Sequence, residues 1–237
     1  MTTSWGRASW TDGPWYDGAV IDAVAFDLDG VLVDSEPTWT AVRREFVLAH
    51  GGRWPEGADR RMMGMATMEW AAYLHDELGV ALPVDSIAEQ VVAAMATRVA
   101  DGPPLLPGAV AAVRRTATRW PLGLASSSPS ELIERTLVAA GLRENFRVTL
   151  STEEVGAGKP APDVYLEVAR RLGVRPERSA AVEDSTNGLR AARAAGMRVV
   201  AVPTDSYPPD PDDLALADAV ISSLDELTEA VVDPSLA

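Results

Sequence analysis

The stretch Ala25-Phe26-Asp27-Leu28-Asp29-Gly30-Val31-Leu32-Val33-Asp34-Ser35-Glu36 sets the architecture of this chain. Residues 20–26 are apolar except for Asp22. A short apolar run stopped by Gly30 predicts a buried strand. Asp27 and Asp29 then sit at that strand's carboxyl end, where open α/β sheets place their chemistry. Such a pair can share a divalent cation, and one member can attack an electrophile. Read alone, an Asp-x-Asp fits a solvated acidic loop equally well. The remaining sequence has to separate the two.

From residue 37 to 101 the pattern is helical only. Residues 38–50, 68–78 and 85–100 carry apolar side chains at helical spacing, with Gly51-Gly52 and Gly79 as stops. Pro103-Pro104-Leu105-Leu106-Pro107-Gly108 ends the block. Strand and helix then alternate. Strands are predicted at 121–125, 147–150, 179–183 and 197–202, with helices at 109–119, 129–140, 162–172 and 189–195. A strand at 219–221 and a helix at 224–232 close the chain. Alternation of this kind implies an α/β fold, a parallel sheet with helices on both faces. The helical block separates the first strand from the second, so it reads as an insertion over Asp27 and Asp29. The expected organisation is an N-terminal extension at 1–18, a core domain at 19–36 and 103–237, and a helical cap domain at 37–102. Hinges are expected at 34–37 and 102–107.

The 237 residues carry a formal net charge of −14. Such a surface repels nucleic acid and anionic membrane. The absence of cysteine excludes disulfides and thiol catalysis. No apolar run is long enough to span a bilayer, and residues 1–18 lack a signal-peptide pattern. A cytoplasmic location is the expectation. The oligomeric state, monomer or dimer, is left open.

Three further segments lie at or after predicted strands. Ala125-Ser126-Ser127-Ser128-Pro129 offers hydroxyls and free N–H groups to an anion at a helix N-terminus, or serves as a plain serine cap. Val182-Glu183-Asp184-Ser185-Thr186-Asn187-Gly188 again places acids at a strand end. Gly158-Lys159-Pro160-Ala161-Pro162-Asp163 holds the single lysine of a chain with twenty arginines. A compact ammonium and a planar guanidinium are not interchangeable, so Lys159 points to a specific role facing an anion.

Taken in order, the four segments resemble the motifs of the haloacid dehalogenase-like (HAD) superfamily, in its phosphatase and β-phosphoglucomutase-like branch. The resemblance runs from residue 20 to about residue 203. It implies a Rossmann-like core with an inserted helical cap. It also implies Asp27 as the nucleophile that forms an aspartyl-phosphate, and Asp29 as the acid/base. Ser126 and the backbone around Ser127 would bind the phosphoryl group, and Lys159 would bridge it to Asp27. Mg²⁺ would be held by Asp27, the Asp29 carbonyl and Asp184, with Glu183 direct or through water. The implied reaction is Mg²⁺-dependent hydrolysis of a small phosphorylated metabolite, such as a sugar phosphate.

Other branches fit less well. Dehalogenases lack the second aspartate, and cap-lysine phosphonate chemistry needs a lysine that this chain does not have. A β-phosphoglucomutase-type phosphomutase is the main alternative. There a histidine stands about a dozen residues after the nucleophile, where this chain has Trp39. An arginine also follows the mutase cap glycine, whereas here the segment is Gly64-Met65-Ala66-Thr67-Met68, with Arg60 and Arg61 nearby. A non-catalytic phosphometabolite-binding module is the third reading, and the intact charged positions speak against it. Met62, Met63, Met65 and Met68, with Trp39 and Trp70, form an apolar cluster suited to cap packing or to the substrate's organic part. His50 and His75 read as ordinary helix positions.

Overall fold

The computed structural model describes residues 20–62, 65–100, 102–204 and 208–237. The expected extension at 1–18 and Met63 lie outside the described residues. Six strands form one sheet: β1 (Ala23–Phe26), β2 (Leu122–Ser126), β3 (Phe146–Ser151), β4 (Ser179–Glu183), β5 (Arg198–Ala201) and β6 (Ala219–Val220). All pairings are parallel and the order is β3-β2-β1-β4-β5-β6. Successive side chains alternate between faces. Val24, Phe26, Ala180 and Val182 enter one core cluster, and Ala25, Ala181 and Val199 the other. Helices α5 (Ala109–Ala117) and α6 (Ser130–Ala139) cover the first face. Helices α7 (Asp163–Leu172) and α8 (Thr186–Ala194) cover the second. Gly123 lets α7 approach β2, because a Cβ there would lie 2.4 Å from Val168 Cγ1.

The block between β1 and β2 folds as α1 (Glu36–Ala49), α2 (Ala58–Met62), α3 (Thr67–Asp76) and α4 (Val84–Ala100). These helices bury a cluster of their own, built on Trp39, Trp70, Leu74, Ile87 and Val91. Leu132 of α6 joins it and ties the helical lobe to the sheet. The two connecting segments run side by side. Val33 bridges antiparallel to Leu105. The Asp34 N–H donates to the Pro104 carbonyl at 2.8 Å, and the Leu106 N–H to that of Leu32 at 2.9 Å.

Boundaries differ from the sequence reading where side chains capture the backbone. β1 starts at Ala23 rather than residue 20, and just before it the Asp22 carboxylate pairs with the Arg178 guanidinium at 2.7 Å. Helix α8 starts at Thr186 rather than 189, since Ser185 Oγ caps it by accepting from the Gly188 N–H. The helix expected at 224–232 is two pieces. A 3-10 turn, Leu224–Glu226, follows Ser223, and α10 (Glu229–Val232) follows Thr228, each hydroxyl accepting a backbone N–H. A short α9 (Pro211–Leu214), capped by Asp210, was not anticipated.

Candidate active site

Strands β1 and β4 are neighbours from which the strand order departs in opposite directions, and ligands of such sheets bind at that crevice. Asp27 leaves β1 there, and Glu183 and Asp184 end and follow β4. A cavity of about 400 Å³ opens above them, lined from the sheet side by Asp27, Asp29, Ser127, Lys159 and Asp184. Trp39, Arg43 and Trp70 line it from the helical lobe.

Lys159 is the electrostatic centre. Its Nζ donates to Asp27 Oδ1 at 2.9 Å, to Glu183 Oε1 at 2.6 Å and to the Ala125 carbonyl at 3.0 Å. The side chain is only 5 % exposed. Burial alone would push its pKa down, but the two carboxylates hold it above the usual lysine range. At Asp27 burial prevails over the pull of Lys159, and the pKa stands at about 7, with the charges of Glu183 and Asp29 adding to the rise. Burial, then Glu183 and Asp27, also lifts Asp184 well above its ordinary value.

Glu183 is fully buried and its oxygens are occupied. Oε1 accepts from Lys159 and from the Tyr165 hydroxyl at 2.6 Å. Oε2 accepts from the Asp184 N–H at 3.1 Å and the Ser185 hydroxyl at 3.3 Å. Gly188 closes over it, since a Cβ there would lie 1.9 Å from the carboxylate. Asp29 is held by three hydroxyls: Ser35 on Oδ1, and Ser128 at 2.7 Å and Ser126 at 3.2 Å on Oδ2.

One carboxylate oxygen each from Asp27, Glu183 and Asp184 lies within 4.8 Å of the others. Hard oxygen donors of this kind suit Mg²⁺. Asp184 Oδ1 is buried without a hydrogen-bond partner, a deficit that a cation would satisfy. The donor set therefore fits the metal.

Residues 21–196 match the family described as haloacid dehalogenase-like hydrolase. This chain belongs to the haloacid dehalogenase-like hydrolases. It falls in their phosphatase and β-phosphoglucomutase-like branch and is a HAD-like phosphatase. Hexitol phosphatase B of Escherichia coli K12 is 35 % identical over 218 residues, covering 87 % of this chain and 94 % of that one. The fructose-1-phosphate phosphatase of the same strain is 32 % identical over 177 residues, covering 75 % and 94 %. Among solved structures, CbbY from Rhodobacter sphaeroides in complex with phosphate superposes with a TM-score of 0.81 at 30 % identity, covering 90 % of this chain and all of that one.

The fold brings Asp27, Asp29, Lys159, Glu183 and Asp184 to one place. Ser127 lines the cavity, whereas Ser126 stands behind its wall. The Ser126 hydroxyl is fully buried, donates to Asp29 and accepts from the Ser128 N–H at 3.0 Å. Arg60 and Arg61 are exposed on α2, and neither lines the cavity. Met62 is buried in the lobe cluster and Met65 packs against it, while Met68 is exposed. His50 and His75 bond the carbonyls of Phe46 and Val80. Sequence reasoning missed Tyr165 and Arg43, and it gave neither Ser35 nor Ser128 the contact with Asp29 that the structure shows. A charged residue four positions after Trp39, on the apolar stripe of α1, was the available signal for Arg43.

Gly30 has a left-handed φ of +83°, and a Cβ there would lie 2.0 Å from Asp184 Oδ2. Gly30→Ala must therefore displace Asp184. We expect Mg²⁺ affinity to fall by about tenfold or more, measured by calorimetric titration. Unchanged affinity would contradict a metal-binding role for Asp184.

Proposed function

We propose that this phosphatase hydrolyses a small phosphorylated sugar or similar metabolite through an aspartyl-phosphate on Asp27, with Mg²⁺ as cofactor. The observation that carries this reading is the Asp27 carboxylate, held 2.9 Å from Lys159 on the wall of a cavity shared with Asp29 and Asp184. The sugar phosphatases among its relatives support the substrate class.

Charge is the main obstacle. Five carboxylates line the cavity: Asp27, Asp29, Asp34, Glu36 and Asp184. Each like-charge pair about 4 Å apart costs roughly 4 kcal/mol at an effective dielectric of about 20. Lys159 lowers that barrier from beneath Asp27. Asp27 and Asp184, with the Asp29 carbonyl, would hold Mg²⁺, which when bound supplies positive charge against the phosphoryl oxygens. Glu183, its oxygens already engaged, acts through water or through its field, and it fixes Lys159.

In the first step an Asp27 oxygen attacks phosphorus. The ester P–O bond breaks, and Asp29 gives its proton to the leaving oxygen. In the second step Asp29 takes a proton from water, whose oxygen attacks phosphorus and frees Asp27 and inorganic phosphate. Ser35, Ser126 and Ser128 orient Asp29 for both transfers. The paired segments at Val33 and Leu105 serve as the hinge on which the lobe opens.

The raised carboxylate pKa values give a pH signature. An acid raised in the folded state keeps a proton that the unfolded chain has lost. Metal-free protein therefore loses stability as pH rises from about 4, the ordinary aspartate value, through about 7, where Asp27 titrates. Mg²⁺ competes with those protons, so millimolar Mg²⁺ should raise the melting temperature more at about pH 8 than at about pH 5. An equal shift, or a larger one at the lower pH, would contradict the site.

The activity test is phosphate release from a panel of sugar phosphates, with Mg²⁺ and with chelator. Mg²⁺-dependent release supports the hydrolase. Conversion of glucose 1-phosphate to the 6-phosphate with a bisphosphate primer, without net release, would replace it by a mutase.

A further inference from the structure

Arg43 takes no part in the chemistry above. It lies on α1 and is only 6 % exposed. The guanidinium carbon sits 4.6 Å from the Trp39 ring centroid and 5.0 Å from that of Trp70. All three residues line the cavity that contains Asp27 and Lys159. Arg43 Nε is buried and meets no acceptor, and among the described residues no carboxylate forms an ion pair with Arg43. Burial lowers its pKa to about 10, against the pull of the Glu36 and Asp29 charges, so it remains a cation at neutral pH.

A cation taken out of water without a hydrogen-bonded acceptor is unfavourable, even with the Glu36 and Asp29 charges nearby. The indole faces compensate part of this by cation–π attraction but leave the N–H donors unsatisfied. Lys159 is the other cation on the cavity wall, and its ammonium already serves Asp27, Glu183 and Ala125. Arg43 is thus the cavity-lining cation with donors to spare among the described residues.

We propose that Arg43 is a specificity residue that receives a second anionic group of the substrate, a carboxylate or a phosphate, remote from the phosphoryl group under attack. A guanidinium fork matches either oxyanion with paired, charge-assisted hydrogen bonds, which a neutral hydroxyl cannot supply. Trp39 and Trp70 face the guanidinium carbon at 4.6 and 5.0 Å and hold it at the cavity wall. Arg43 belongs to the helical lobe and Asp27 to the sheet edge, so a ligand charged at both ends would bridge the two. The preferred substrate class is therefore a sugar bisphosphate or a phosphorylated sugar acid. This inference rests on the phosphatase reading for the scissile end.

Binding to the Asp27→Asn protein in Mg²⁺ tests it without turnover. Two matched pairs serve as probes: glucitol 6-phosphate against 6-phosphogluconate, open-chain ligands in which a C1 carboxylate replaces a hydroxymethyl group, and fructose 6-phosphate against fructose 1,6-bisphosphate, which adds a phosphate. Titration is followed by calorimetry and by intrinsic tryptophan fluorescence, to which Trp39 and Trp70 contribute among the seven tryptophans of the chain. The added anion should tighten binding by about tenfold or more in at least one pair. Arg43→Gln in the same background should abolish that gain, and Arg43→Lys should restore part of it. The pair that responds identifies the anion. Equal affinity within both pairs, absent binding of both doubly charged ligands, or a gain that survives Arg43→Gln would overturn the inference. The comparison with Arg43 in place needs no substitution at 43, so it stands even if Arg43→Gln fails to fold. A failure of the phosphatase reading would appear separately, as absent phosphate release from the unsubstituted enzyme.

Discussion

Asp27→Asn is expected to lower phosphomonoester turnover by about 10⁴-fold or more, the scale on which enzymes respond to loss of a covalent nucleophile. The amide has the size of the carboxylate but cannot form the bond to phosphorus. The fold should persist, because β1 is anchored by Val24 and Phe26 in the core rather than by Asp27. Phosphate release with Mg²⁺, normalised to folded protein by circular dichroism, checks this. Turnover within about tenfold of the unsubstituted enzyme would remove Asp27 from the nucleophile's role.

Lys159→Arg is expected to cost about 10²- to 10³-fold in kcat/KM although the charge is kept. Three acceptors converge on Nζ between 2.6 and 3.0 Å, with the Tyr165 ring 5.1 Å away. A compact ammonium reaches all three from one atom. A planar guanidinium spreads its donors over a fork and needs more volume than is free around a Lys159 side chain that is only 5 % exposed. It must push against Asp27, Glu183 or Tyr165. The change should therefore appear in kcat as well as KM, since Asp27 itself moves. Full activity would show that any cation suffices there, and the presence of lysine among twenty arginines would carry no meaning.

The sheet and its acidic edge were legible because their signals are local. Apolar runs ending in Asp27 and Glu183 reveal both the strands and the acidic edge, and the lone Lys159 stands out by composition alone. Tyr165 was not legible: at an apolar position of α7 it reads as core, and its bond to Glu183 forms only when β4 and α7 meet. Ser128 and Ser35 reach Asp29 from opposite sides of the helical insertion, and no sequence spacing encodes that meeting. The break between Leu224–Glu226 and α10 rests on hydroxyl caps at Ser223 and Thr228 that compete with a continuous helix. Arg43 was hidden for a related reason. Beside Arg44 it reads as half of an ordinary charged pair, and only the packing of Trp39 on Trp70, 6.0 Å between ring centroids, turns it inward.

The covalent intermediate itself is the most direct test of the account. The enzyme would be mixed with Mg²⁺ and the sugar phosphate it hydrolyses fastest, quenched in acid within the first turnover, and treated with borohydride, which reduces an acyl phosphate to an alcohol. Peptide mass spectrometry would then locate the modified residue. The account predicts reduction at Asp27, formed at least as fast as phosphate is released and absent from Asp27→Asn. Phosphate release at full rate with an unmodified Asp27 at every quench time would contradict it.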